Sequence, residues 1–144
     1  MGKRWSILMT SIAQAVEDII DEFESRSSVD EKYIHLFQMG AELPEMDESL
    51  KTEENLVRGC QSTLWFQVTR EGEKFYLQAD SDSMVIKGIA ALLVRIIAGQ
   101  TAEEIQKLTL DFIDRLDLWQ LPSERNNGLV SMLETVKSQV SSYK

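Results

Sequence analysis

Thr63-Leu64-Trp65-Phe66-Gln67-Val68-Thr69, then Glu71-Gly72-Glu73, then Phe75-Tyr76-Leu77-Gln78-Ala79-Asp80, is the stretch on which the fold turns. Leu64, Phe66 and Val68 alternate with Thr63, Trp65, Gln67 and Thr69, the period of a strand with one face toward a core. Phe75, Leu77 and Ala79 repeat the pattern, and Glu71-Gly72-Glu73 between them is a turn signal. The stretch therefore predicts an antiparallel hairpin.

Working outward toward the C-terminus, Asp80-Ser81-Asp82-Ser83 is a cluster of helix-capping residues. It opens a predicted helix from about Met84 to Ala98, with Gly99 at its end. Ile86, Ile89, Ala90, Leu93, Val94 and Ile97 cover so much of its circumference that it is expected at the centre of the core. Thr101-Ala102-Glu103-Glu104 reads as a capping box for a short helix, and Asp111 to Leu116 as a further helical turn. Leu118-Trp119-Gln120-Leu121-Pro122 follows. Ser123 is read as the cap of a last helix reaching about Val140, with Leu129, Met132, Leu133, Val136 and Val140 as its apolar stripe.

Toward the N-terminus, Leu56-Val57 reads as a short strand. Residues 41–55 are polar and acidic and read as a surface loop with one helical turn. A predicted helix from about Ser11 to Glu24 carries Ile12, Val16, Ile19, Ile20 and Phe23. A second is expected to be capped by Asp30, to carry Tyr33, Ile34, Phe37 and Gln38, and to stop at Gly40. The pattern predicts an α+β fold, a small antiparallel sheet with helices packed on one face. Residues 1–10 are read as an N-terminal extension and 11–144 as a single domain. Met1-Gly2-Lys3-Arg4-Trp5 with Ile7-Leu8-Met9 begins like a signal peptide, but the apolar run is short and no small-residue cleavage site follows. Met9 is an alternative start.

With 24 acidic and 15 basic residues, the net charge of the 144-residue chain is −9. Nucleic acid is not an expected partner, because phosphate binding needs clustered Lys and Arg. No apolar run approaches the length of a membrane span. One cysteine forms no internal disulfide, so a reducing compartment, the cytoplasm, is expected. One Cys and one His do not complete a zinc site or ligate an iron–sulfur cluster.

That cysteine, Cys60, follows Gly59 on the loop leading into the hairpin. Free cysteines are commonly small buried hydrophobes. A glycine-hinged loop between strands is also where functional side chains concentrate, and Arg58, if turned inward, would favour the thiolate. Both readings stand on the residues alone. His35 is the only histidine available as a base, a weak dyad with Cys60 and more simply a boundary residue. Asp80 and Asp82 suit helix capping, yet the hairpin returns them toward the Cys60 loop. Arg125, next to a predicted helix N-terminus, is electrostatically disfavoured there, which hints at a use outside the helix.

Gly59-Cys60-Gln61-Ser62 followed by Leu64-Trp65 resembles the signature of the SufE family of sulfur-acceptor proteins. In the family's order come Gly40 through Leu43-Pro44, then Ala79-Asp80-Ser81-Asp82 with Ile86-Lys87-Gly88. Leu121 with Ser123-Glu124-Arg125-Asn126-Asn127-Gly128-Leu129 completes the series, and the resemblance spans roughly Ile12 to Val140. It implies a fold like that of the IscU scaffold and no cofactor. It further implies that Cys60 accepts sulfur as a persulfide from a SufS-type cysteine desulfurase, which the protein stimulates. The sulfur would pass to a SufBCD-like iron–sulfur scaffold. Arg58, Gly59, Gln61, Ser62, Asp82 and Arg125 are then expected to support the loop or dock the partner, in a monomer or weak homodimer. The alternatives are an adaptor that activates a partner by binding only, and a Cys60–His35 hydrolase.

Overall fold

The computed structural model describes residues 11–57, 63–116 and 123–143, without the side chains of 113, 114 and 123–129. Strands β1 (Leu64–Glu71) and β2 (Lys74–Ser81) form the expected antiparallel pair, in register from Leu64↔Ser81 to Glu71↔Lys74. Gly72, at φ 64°, turns the chain between them in the left-handed region that glycine tolerates. Leu64, Phe66, Val68, Phe75, Leu77 and Ala79 are buried on one face, as their alternation requires.

Helix α1 (Ile12–Glu24) starts where the Ser11 side chain accepts from the Gln14 amide at 3.1 Å. It buries Ile12, Ala15, Ile19, Ile20 and Phe23, one stripe at helical spacing. Helix α3 (Met84–Ile97), capped by Ser83, buries ten of its fourteen residues and is the centre of the core. Full burial of a side chain such as Leu93 or Ile96 stabilises the fold by about 1.5–3 kcal/mol. Gly99, at φ 79°, follows it, and Thr101 caps α4 (Ala102–Lys107). A 3-10 helix spans Asp111–Leu116.

Helix α5 (Ser123–Ser142) buries Met132, Leu133, Val136 and Val140. It also closes part of the outer edge of β1. Gln139 Oε1 accepts from the Val68 amide at 3.1 Å, and the Tyr143 hydroxyl donates to the Val68 carbonyl at 2.9 Å. Side chains here satisfy backbone groups that a neighbouring strand would otherwise pair.

Helix α2 (Val29–Ala41) departs from the sequence expectation. Its cap is Ser28, whose side chain accepts from the Glu31 amide, while Asp30 lies inside the first turn, where its charge suits the helix dipole. Its deeply buried apolar residue is Leu36, whereas Ile34 is 53% exposed and Tyr33 and Phe37 are only half-buried. Gly40 does not stop the helix but lets it approach α3. A Cβ on Gly40 would lie 2.9 Å from the Gly88 nitrogen, and one on Gly88 would lie 2.5 Å from the Leu36 carbonyl oxygen. The two glycines allow a backbone-to-backbone crossing, which turns the Leu36 side of α2 inward.

The segment after α2 forms two 3-10 turns, Glu48–Leu50 and Glu53–Asn55, rather than one helical turn, and it buries Met46. Leu56 then bridges to Trp65, and the Val57 amide donates to the Leu64 carbonyl at 2.9 Å. The expected Leu56-Val57 strand is thus a single bridge alongside β1. Among the described residues no helix is long and apolar enough to cross a membrane.

Candidate functional site

Arg58, Gly59, Cys60, Gln61 and Ser62 lie outside the described residues, and so does the side chain of Arg125, whose backbone belongs to α5. Asp82 is described, and so are both flanks of the Cys60 connection. The incoming flank ends at Val57, which is bonded to Leu64. The outgoing flank begins at Thr63, held on three sides. Its amide donates to Asp82 Oδ1 at 3.2 Å, and its carbonyl accepts from the Asp82 amide at 3.3 Å and from the Ser81 hydroxyl at 2.6 Å. Ser81 Oγ also accepts from the Ser83 amide, tying this junction to the cap of α3. The hairpin therefore does return Asp82 to the Cys60 loop, and its exposed carboxylate holds the first described residue after Ser62.

A second group of residues on the same flanks was not legible in the sequence. Trp65 and Asp80 face each other across the hairpin, on the side away from the core. Lys51 reaches both, with Nζ 2.9 Å from Asp80 Oδ2 and 5.4 Å from the centre of the Trp65 ring. Glu48 Oε2 lies 3.1 Å from the same nitrogen. Lys87, from the first turn of α3, approaches Asp80 Oδ1 at 3.4 Å, and the Ser81 amide donates to that oxygen at 2.8 Å. Burial of Asp80 alone would raise its pKa. The hydrogen bonds from Lys51 and the Ser81 amide, with the charges of Lys87 and Lys51, outweigh it and hold the carboxyl below its usual range. The hydrogen bonds to Asp80 and then Glu48 push Lys51 upward. The sequence signal for this group was slight, a lone lysine in an acidic stretch. Only the register opposing Trp65 to Asp80 gives it meaning.

His35 belongs elsewhere. Its Nδ1 lies 2.9 Å from an Arg26 guanidinium nitrogen, which only donates, so Nδ1 accepts and Nε2 carries the proton. Nε2 then donates to Glu22 Oε1 at 3.0 Å. Arg95 grips both Glu22 oxygens, and the Phe23 ring meets the imidazole edge-on at 5.0 Å. With both ring nitrogens engaged and only 14% of the side chain exposed, His35 is a link among α1, α2 and α3. Burial works to raise the Glu22 pKa. The hydrogen bonds from His35 and Arg95, with the charge of Arg95, overcome it and lower the pKa to about 2. Among the described residues no group of three His, Cys, Asp or Glu side chains is placed to hold a metal ion.

Comparison with known proteins gives a consistent result. The family model for SufE, described as an Fe-S metabolism associated domain, matches residues 17–140. The chain is 38% identical over 126 residues to the SufE-like protein 1, chloroplastic/mitochondrial, of Arabidopsis thaliana. That match covers 86% of this chain, which spans about a third (34%) of the relative's length. An uncharacterized SufE-like protein of Rhizobium meliloti (strain 1021) is 34% identical over 139 residues, covering 91% of this chain and 95% of the other. Among solved structures, a hypothetical protein from Thermus thermophilus superposes with a TM-score of 0.73 at 21% identity, covering 88% and 93% of the two chains. This likeness concerns the fold, and it is the α+β fold described above. The family pattern runs through the helices, the hairpin and the Asp82 junction alike, and the chain belongs to the SufE family, associated with iron–sulfur metabolism.

Proposed function

We propose that this protein is a sulfur acceptor, taking sulfane sulfur onto Cys60 from the persulfide of a SufS-type cysteine desulfurase, stimulating that enzyme and passing the sulfur to an iron–sulfur scaffold. The Cys60 thiolate attacks the outer sulfur of the desulfurase persulfide. A new S–S bond forms on Cys60, the old one breaks, and the electron pair leaves on the desulfurase thiolate. No oxidant or metal is consumed, and one nucleophile suffices. With one cysteine in the chain, no internal thiol competes to release the sulfur as a disulfide.

The observation that carries this reading is the closure of the flanks. Val57 is bonded to Leu64 and Thr63 to Asp82, so Cys60 stands midway along a five-residue connection whose two ends are fixed together. Such a connection suits presentation of a side chain to a partner. The engagement of both His35 nitrogens favours this exchange over a Cys–His hydrolase. Asp82, exposed beside the junction, would meet the docked partner, and we assign Arg58, Gly59, Gln61, Ser62 and Arg125 to the same contact by their family positions. We place residues 11–144 in one domain and the protein in a reducing compartment, the cytoplasm. The test is intact-mass measurement after incubation with a SufS-type desulfurase and cysteine. The wild type should gain one sulfur atom and Cys60→Ser none, while still binding the desulfurase.

A further inference from the structure

Helix α2 carries apolar side chains on two sides. Leu36 and Gly40 face α3, where the Gly40–Gly88 approach brings the two backbones together. Tyr33, Ile34 and Phe37 lie on an adjoining flank, within an arc of about 100° at the helical repeat. Tyr33 leans on the core, and the Phe37 ring rests against it with centroids 6.2 Å apart. Ile34, beside them, is 53% exposed.

Past the crossing, Met84 opens α3 and is 65% exposed, and Val85 after it is half-buried. Gly40 sits beside Gly88, and His35 reaches Arg95 through Glu22, so α2 and α3 run antiparallel. Ile34 lies six residues before Gly40 and Met84 four before Gly88, which places them about 15 Å apart along the helix axes. Both fit within the roughly 800 Å² that one side of a standard protein interface covers. Single exposed apolar residues are ordinary. Here two of the four large apolar side chains exposed among the described residues frame the Tyr33–Phe37 pair and Val85. A contiguous apolar patch with a polar border marks an interaction surface.

The border of this patch is acidic. Asp30 and Glu31 stand at its Ile34 end and Glu42 and Asp82 at its Met84 end, all exposed, whereas Lys32 of the same helix is buried. Such a border selects a partner whose own apolar surface is edged with Lys or Arg. The patch also continues into Asp82, which belongs to the docked contact under the sulfur-acceptor reading. We propose that the ridge from Ile34 to Met84 is a docking surface for the sulfur-donating desulfurase, which covers it with an apolar patch edged by basic residues. The inference rests on the sulfur-acceptor reading for the identity of the partner. The ridge supplies affinity and takes no part in bond making.

The test titrates the full chain with a SufS-type desulfurase in a calorimeter, as wild type, Ile34→Gln, Met84→Gln, the double variant and Asp30→Lys. Ile34 and Met84 are exposed, so the Gln variants should keep the wild-type Tm. Each Gln variant should weaken binding about tenfold, and the double variant about a hundredfold. Asp30→Lys, which puts a cation on the acidic border, should weaken it too. Sulfur loading of Cys60 at saturating desulfurase should stay at the wild-type rate in the Gln variants. A double variant that binds as tightly as the wild type would overturn the proposal, as would Asp30→Lys matching or exceeding wild-type affinity. So would a wild-type dimer that Ile34→Gln dissociates in sedimentation runs without desulfurase, since a second copy would then cover the ridge. If the wild type itself binds no SufS-type desulfurase, the sulfur-acceptor reading falls and this surface with it. Wild-type binding that all the variants retain refutes the surface alone.

Discussion

Replacing Glu22 by Gln removes the negative centre on which three helices converge. In the native protein its carboxylate accepts from His35 Nε2 of α2 and from the Arg95 guanidinium of α3, and its pKa is lowered from 4.5 to about 2. A folded-state pKa below the unfolded one contributes stability that is fully present above about pH 4.5 and is lost as pH falls toward 2. The whole shift corresponds to about 3.4 kcal/mol. One third of the side chain is exposed, and solvent screening reduces the expected contribution to about 2 kcal/mol. Urea unfolding of wild type and Glu22→Gln at pH 7 should therefore differ by about 2 kcal/mol. Near pH 3 roughly half of that difference should be gone, because Glu22 is by then almost fully protonated in the unfolded chain and still mostly ionised in the folded one. The comparison of variant with wild type at each pH cancels contributions from other acids, Asp80 among them. Equal stabilities at pH 7, or a difference that stays constant down to pH 3, would refute the reasoning.

Gly88→Ala would drive a Cβ to 2.5 Å from the Leu36 carbonyl oxygen, forcing α2 away from α3. Even after the helix-propensity gain of about 1 kcal/mol, overpacking should destabilise the fold by about 1–3 kcal/mol, read as a lowered Tm in thermal melts. A Tm equal to or above the wild-type value would contradict the close crossing. His35→Ala leaves Arg26 without its acceptor and Glu22 without one donor. It should cost about 1–3 kcal/mol of stability in urea titrations and leave sulfur loading of Cys60 at the wild-type rate. Loss of loading in a folded His35→Ala protein would restore His35 as a base.

The hairpin, the central helix and most helix ends are legible in the sequence because they are encoded locally. Alternation from Leu64 to Val68 fixes the inward face, Gly72 the turn, and Ser83 and Thr101 the caps. Helix α2 defeats a local reading because its inward face is chosen by a partner distant in sequence. Tyr33, Ile34 and Phe37 outweigh Leu36 in any apolar count, yet the Gly40–Gly88 crossing puts Leu36 inside. The cap of the same helix is ambiguous because Ser28 and Asp30 are both good cap residues, and only the backbone at Ser28, extended with φ −146°, distinguishes them. Around the candidate site, Asp82 is within reach of sequence reasoning because hairpin geometry carries it back to Thr63. Lys51 is not, since no periodicity marks a single lysine among acids until the register sets Trp65 opposite Asp80. Cys60 itself stands out as a lone thiol, and its proposed role comes from the Gly59-Cys60-Gln61-Ser62 resemblance rather than from spacing.

The decisive measurement is the intact mass of the protein after incubation with a SufS-type desulfurase and cysteine, before and after treatment with a reductant. The wild type should carry one additional sulfur atom that the reductant removes, and Cys60→Ser should carry none while still binding the desulfurase. A wild-type mass that never changes, or a Cys60→Ser protein that gains the same sulfur, would contradict the proposal that Cys60 is the acceptor.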